Sequence, residues 1–222
     1  ISWANESTLE GALELVRTAA SNTPDGEWLI VAGGWHKLQF DDQRLPSAAE
    51  VTEAAGNHPI YVQYLYDTAI LNAAAMTAMN IANDADVPPV GVLRRDADGN
   101  PTGEIDGNIL VFHALLSALP KPDFATQVDG TKELMAELNR LGMTSFSDGG
   151  GGGQMPEHYK PLLRIWQDGE MTMRVAYHLM SQKRGQELDD LKNLTQLVPQ
   201  GFGDDWLRFN GFGEVIIWEM HD

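Results

Sequence analysis

The residues best placed to do chemistry stand where short apolar runs stop. Asp148 closes one such run, residues 143–147, and five glycines follow it, Gly149 to Gly153. Glycines there let the backbone approach a ligand closely, and the aspartate can bind it; the alternative is a loop tip whose aspartate merely caps the next element. Glu214 stands between Gly213 and the apolar Val215, Ile216 and Ile217. A carboxylate beside a buried strand is costly unless it is paired or bound to a cation, which favours a functional role for Glu214. An outward-facing strand-end glutamate is the other reading. His178 alternates with Tyr177 in RVAYHLM, residues 174–180. Only one of the two can face a given side of the strand, so His178 either contacts a ligand or is a hydrogen-bonded core residue. Trp35 and His36 follow Gly33-Gly34 after another apolar run and can line a substrate pocket, although Trp35 can equally pack.

Other chemistries are excluded by what is missing. There is no cysteine, so thiolate zinc sites and cysteine nucleophiles are out, and any metal must be held by His, Asp or Glu. The six histidines are never two, three or four residues apart, so there is no His-x-His and no helical metal pair. Ser145 and Ser147 lack the Gly-x-Ser-x-Gly elbow that exposes a nucleophile. The glycine run lacks the lysine and Ser/Thr of a phosphate-binding loop. No residue is assigned a catalytic role.

The elements that must carry these residues follow from periodicity and punctuation. Residues 126–141 form a helix ended by Gly142, 143–147 a strand, 157–168 a helix ended by Gly169, 174–180 a strand, 185–197 a helix, and 207–218 contain another strand. This alternation is the mark of parallel βα units, either in a barrel or in an open sheet, and such folds place reactive groups just past the carboxyl ends of the strands. The first half is mixed. Helices are expected over 7–20 (capped by Ser7), from Ser47 (with Glu50 three residues on) and over 110–119, and strands over 27–32 and 60–65. The Ala- and Met-rich stretch 67–79 reads as helix, and Asp98-Gly99 with Asn100-Pro101 reads as a hairpin turn. Lys121-Pro122 marks a break between sub-domains.

Fifteen basic residues against thirty-two acidic ones give a net charge of −17, which repels phosphate backbones, so no nucleic acid is expected as a partner. No apolar run approaches the roughly 20 residues that span a bilayer, and no leader is visible; a soluble, cytoplasmic chain with no membrane partner is expected.

The order of motifs resembles the metal-dependent amidohydrolase family that includes formamide deformylases. The stretches that carry it are GEWLIVAGGW (26–35), RLPSAAEV (44–51), HPIYVQ (58–63), NAAAM (72–76), RRDADGNPTGEI (94–105), LGMTSFSDGG (141–150) and the strand around 211–214. The hairpin followed by GMTSFSDGG is the most specific part. The resemblance implies an α/β fold: a partial (β/α)8 TIM barrel of about three strands in residues 122–222. An α+β sub-domain, residues 1–121, would be inserted between the first and second barrel strands. It implies hydrolysis of an amide-like C–N bond of a small-molecule substrate by water activated on a divalent metal, zinc above all. In that frame Glu214 stands where many relatives carry a metal-bridging lysine, and the resemblance implies that it is a metal ligand. Trp35, His36, Asp148 and His178 would contact substrate. Departures are plain: the family's first His-x-His, two later histidines and a closing aspartate are absent, and Leu65-Tyr66-Asp67 replaces its Asp-Gly-His. The chain therefore reads as part of such an enzyme, inactive alone. A chain with this few strands would leave unpaired edges and an uncovered apolar face, so self-association is expected. The rival is a non-catalytic ligand-binding protein retaining part of the barrel.

Overall fold

Leu9, Leu13 and Val16 recur at helical spacing and are buried together on α1 (Leu9–Asn22). The cap is Thr8, one residue later than Ser7, and its side chain accepts the Gly11 N–H at 3.0 Å. The computed structural model describes residues 1–150, 156–213 and 216, and the chain divides into two compact units, Ile1–Pro120 and Lys121–Asp222.

In the first unit, β1 (Leu29–Val31) is followed by α2 (Ala48–Ala55), which opens with a reciprocal cap between Ser47 and Glu50. Then come β2 (Ile60–Tyr64), β3 (Thr68–Leu71) and α3 (Ala73–Ala78). The hairpin β4 (Val92–Arg95) and β5 (Pro101–Asp106) and the helix α4 (Ile109–Ala118) complete it. The sheet order is β1-β2-β3-β5-β4, with β1 and β2 parallel and the other neighbours antiparallel. Side chains alternate across β2. Ile60, Val62 and Tyr64 join a core with Trp3, Leu13 and Phe40, while Tyr61 joins Leu71, Ile105 and Phe112 on the opposite face.

Residues 68–71 are strand, not helix as their composition suggests. Leu65, at φ 50°, and the bond from Asp67 N–H to the Tyr64 carbonyl turn the chain back on itself. Pairing of Thr68–Leu71 with both β2 and β5, with every residue buried, then outweighs the helix preference of alanine. Asn72 ends that strand and caps α3, accepting from Ala75 N–H and donating to the His58 carbonyl.

The second unit alternates helix and strand: α5 (Phe124–Arg140), β6 (Ser145–Asp148), α6 (Lys160–Gln167), β7 (Arg174–Leu179), α7 (Glu187–Leu197) and β8 (Leu207–Phe212). The three strands are all parallel, in the order β6-β7-β8. Val175, Tyr177, Leu207 and Phe209 point to one face and are buried with Met135 of α5 and Ile165 of α6. The opposite face carries Ser145, Ser147, Arg174 and Arg208, all exposed. The uncovered face of this sheet is thus polar rather than apolar, because the period-two alternation places serines and arginines there. No helix among the described residues is long and apolar enough to cross a membrane.

Candidate functional site

Parallel strands deliver their last residues to one edge of the sheet, and Asp148, His178 and Asn210 meet there. Asp148 is the final residue of β6. Its side chain accepts the Gly150 N–H at 3.0 Å, an aspartate turn that starts the glycine loop. Its backbone carbonyl lies 2.6 Å from His178 Nδ1 on β7. A carbonyl can only accept, so Nδ1 carries the hydrogen. Nε2 is left as an acceptor, and the Asn210 amide nitrogen faces it at 3.1 Å.

Asn210 reaches His178 through an irregularity in the ladder. Tyr177 pairs with Phe209, but His178 pairs with Gly211, so the register slips by one residue and Asn210 is left over on β8. The loop is held close by glycines. A side chain at Gly150, whose φ is 65°, would come within 2.8 Å of the His178 carbonyl oxygen. At Gly213 a Cβ would lie 1.5 Å from the Gly149 carbonyl oxygen and 2.8 Å from the His178 Cβ. The Gly213 N–H donates to the Leu179 carbonyl at 2.9 Å.

Tyr159 supports the cluster from the apolar side. It is buried against Tyr177 (ring centroids 5.1 Å apart), and its hydroxyl donates to the His178 carbonyl at 2.9 Å. Burial holds the Tyr159 phenol well above its ordinary pKa, and the Asp148 carboxylate nearby adds to that shift. It remains a protonated donor. Past β7, Asp190 of α7 is buried and accepts from the Ser181 hydroxyl (3.1 Å) and the Gln182 N–H (2.6 Å), fixing the segment that follows His178.

Of the residues singled out in the sequence, Asp148 and His178 are brought together. Trp35 and His36 are neighbours in the first unit. Trp35 is buried, donates from Nε1 to the Gln63 carbonyl at 3.1 Å and stacks on Phe40. His36 caps a single 3-10 turn, accepting the Leu38 N–H at Nδ1, while Nε2 lies 2.8 Å from the Tyr64 hydroxyl. Glu214 lies outside the described residues, as do Gly151 to Gly153. Asn210 and Tyr159 were not singled out. Alternation of β8 places Asn210 on the face of Arg208, but the slip that aims it at His178 leaves no local trace.

Among the described residues no group of three or more His, Asp or Glu side chains is placed to hold a metal ion. Asp148 and His178 alone offer fewer donors than the three protein ligands of a catalytic zinc site. What the cluster can do unaided is present one carboxylate to a small polar ligand, and the imidazole lone pair wherever a ligand N–H takes the place of the Asn210 amide. Comparison with known proteins gives this arrangement its setting. The model of the amidohydrolase family matches residues 1–220. The chain belongs to the amidohydrolase family.

Two relatives of this amidohydrolase-family chain are an N-substituted formamide deformylase of Arthrobacter pascens and a putative amidohydrolase of Bacillus subtilis. The first is 27% identical over 145 residues, covering 64% of this chain and 26% of that protein. The second is 30% identical over 101 residues, covering 45% of this chain and 18% of that protein. Two uncharacterised metal-dependent hydrolases have similar folds. That of Pyrococcus horikoshii has a TM-score of 0.53 at 13% identity, and that of Pyrococcus furiosus 0.52 at 17%. The structural matches cover 96% and 93% of this chain but 38% of each of those chains. The matched regions thus amount to about a quarter or less of the curated relatives and well under half of the solved structures.

Proposed function

We propose that this chain is part of a metal-dependent amidohydrolase that hydrolyses an amide-like C–N bond in a small molecule. Residues 122–222 supply three consecutive βα units of a (β/α)8 barrel, and residues 1–121 are an α+β sub-domain inserted between its first and second strands. The observation that carries this reading is the convergence of Asp148, His178 and Asn210 at the carboxyl ends of three parallel strands, where barrel enzymes keep their sites. Family membership supports the reaction class.

In this reading His178 and Asp148 contact the substrate. Nε2 accepts a hydrogen bond from a substrate N–H that displaces the Asn210 amide, and the Asp148 carboxylate takes a second. Trp35 and His36 are assigned to substrate binding in the complete enzyme as well. Glu214 serves as an oxygen-donor metal ligand, with zinc as the metal, and the remaining ligands come from outside this chain. One carboxylate cannot hold a catalytic metal, so the chain alone is inactive.

The test is zinc content and amidase activity of this chain, measured together after dialysis against zinc. Substoichiometric zinc without turnover is expected; one tightly bound zinc per chain with turnover overturns the reading. Among the described residues, β6 pairs only with β7, and its free edge supports self-association; the far edge of β8 is covered in part by residues 201–204, where Gly201 N–H donates to the Phe209 carbonyl and Phe209 N–H to the Phe202 carbonyl. A monomer at all concentrations in light scattering counts against that part.

A further inference from the structure

An asparagine followed by glycine is the pair in which the backbone attacks a side-chain amide most easily, because glycine puts no Cβ in the way and leaves the backbone free to rotate. The chain contains one such pair, Asn210-Gly211. The ladder leaves its asparagine unpaired. Tyr177 is opposite Phe209 and His178 is opposite Gly211, so Asn210 has no partner residue on β7. On the other side of β8, the bonds to residues 201–204 reach only as far as Phe209. Gly211 has a φ of 124°, and the place a Cβ would take is open. The side-chain nitrogen of Asn210 faces His178 Nε2 at 3.1 Å. These relationships lie within β7 and β8 and do not depend on what packs against the sheet.

We propose that Asn210-Gly211 is a site of spontaneous deamidation, and that the modification reverses the hydrogen-bonding sense of the His178 cluster. The Gly211 nitrogen attacks the side-chain carbonyl carbon of Asn210 and closes a cyclic imide. The side-chain nitrogen leaves as ammonia, taking the proton that the glycine nitrogen gives up. Water then adds across one of the two imide C–N bonds, hydroxyl to carbon and hydrogen to nitrogen, which yields aspartate or isoaspartate. No oxidant or cofactor enters, and the residue becomes about 1 Da heavier. The neighbour gives the change its effect. The amide donates to Nε2, whereas a carboxylate can only accept. His178 Nδ1 already gives its hydrogen to the Asp148 carbonyl. A carboxylate at position 210 is therefore satisfied only when Nε2 carries a hydrogen as well, and the ring is then a cation. The other titratable or charged groups around His178 are the Asp148 carboxylate on β6, the Tyr159 hydroxyl of the turn Pro156–Tyr159, and Arg208 two residues back on β8. The reaction alters none of them. Loss of the Nε2 lone pair to a ligand rests on the role proposed for His178 above; the deamidation itself does not.

The test is peptide mapping by mass spectrometry of the unaltered chain aged at pH 8, once folded and once unfolded in urea, with isoaspartate labelled by an isoaspartate-specific methyltransferase. The peptide that carries Asn210 should gain about 1 Da and split into two isomers, ahead of every other asparagine peptide. Its rate in the folded chain should stay within about tenfold of the rate in urea. Asn210→Gln should stop the change, because the longer side chain closes a larger ring far more slowly. Asn210→Asp supplies the product without ageing. In nitrogen-15 spectra of that variant, and of the aged chain should the variant fold poorly, the hydrogen on His178 Nε2 should persist to higher pH than in the fresh chain. A folded rate more than about tenfold below that in urea, or a faster reaction at another asparagine, overturns the site. An Nε2 that titrates alike before and after the change overturns the reversal. Neither readout uses amidase activity or metal, so both results stand apart from the fate of the amidohydrolase reading.

Discussion

His178 Nδ1 lies 2.6 Å from the backbone carbonyl oxygen of Asp148, thirty residues earlier in the chain, and this contact sets which ring nitrogen carries the hydrogen. The free imidazole in water favours the opposite tautomer, with hydrogen on Nε2. Nitrogen-15 correlation spectra at pH 8 should show His178 as Nδ1–H with an unprotonated Nε2. Finding Nε2–H instead would remove the lone pair on which ligand contact at His178 depends.

Two glycines of the same loop region make a matched pair of opposite expectation. A Cβ at Gly213 would lie 1.5 Å from the Gly149 carbonyl oxygen, whereas a Cβ at Gly149 meets nothing within 4 Å. Gly213→Ala must displace the loop or the end of β8 and should cost about 3 kcal/mol, the upper part of the range for overpacking. Gly149→Ala should change stability by less than about 0.5 kcal/mol, as an open surface position does. Urea unfolding measures both, and hydrogen exchange should place the Gly213 loss in the second unit. Equal effects at the two positions would contradict the close approach.

The βα rhythm of the second unit was legible because its punctuation is local. Gly142 and Gly169 adopt φ of 85° and 72° just after α5 and α6, conformations that residues with a Cβ resist, so the helix ends show in the sequence. The opposition of Tyr177 and His178 follows from strand alternation alone: Tyr177 is buried and His178 half-buried on the other side. What stayed hidden depends on partners far along the chain. Thr68–Leu71 is a strand because β5, more than thirty residues later, pairs with it. His36 binds Tyr64, Tyr159 binds the His178 carbonyl, and Asn210 reaches His178 through a one-residue slip. None of these leaves a periodic signal. The polar open face is an intermediate case: the alternation of Arg174, Ala176 and Arg208 with apolar residues is written in the sequence, but which face the helices cover is settled by packing.

The start of α2 gives a pH-dependent expectation. Glu50 accepts from both Arg44 terminal nitrogens (2.8 and 2.7 Å) and from the Ser47 N–H (2.8 Å). The Arg44 hydrogen bonds, with help from Ser47, lower its pKa to about 2. A carboxylate whose folded pKa lies below its unfolded value stabilises the fold above the unfolded value, and loses that contribution as pH falls through the folded one. Glu50→Gln should therefore cost about 1 kcal/mol at pH 7, the scale of a helix cap with a part-exposed ion pair. The difference from the unaltered chain should shrink between pH 4.5 and pH 2. Denaturant midpoints of the two chains across that range measure it, and a gap that stays constant with pH would show that the charge of Glu50 contributes nothing.

Val90 offers a gain rather than a loss. It stands at the third position of a turn in which the Gly91 N–H donates to the Pro88 carbonyl at 2.9 Å, and its φ is 65°. A positive φ at that position suits glycine or asparagine; a β-branched residue is crowded there, at a cost on the order of 1–2 kcal/mol. Nothing compensates through packing, because Val90 is 70% exposed. Val90→Asn should therefore stabilise the first unit by about 1 kcal/mol, since asparagine tolerates the left-handed region. Val90→Gly should gain less, because glycine relieves the strain but adds freedom to the unfolded chain. Val90→Ala should gain least, since it removes the branch while keeping the Cβ that opposes positive φ. The order Asn, then Gly, then Ala in urea midpoints is the discriminating result. Were alanine to match asparagine, the relief would come from removing an exposed apolar side chain, and the backbone conformation would not be its source.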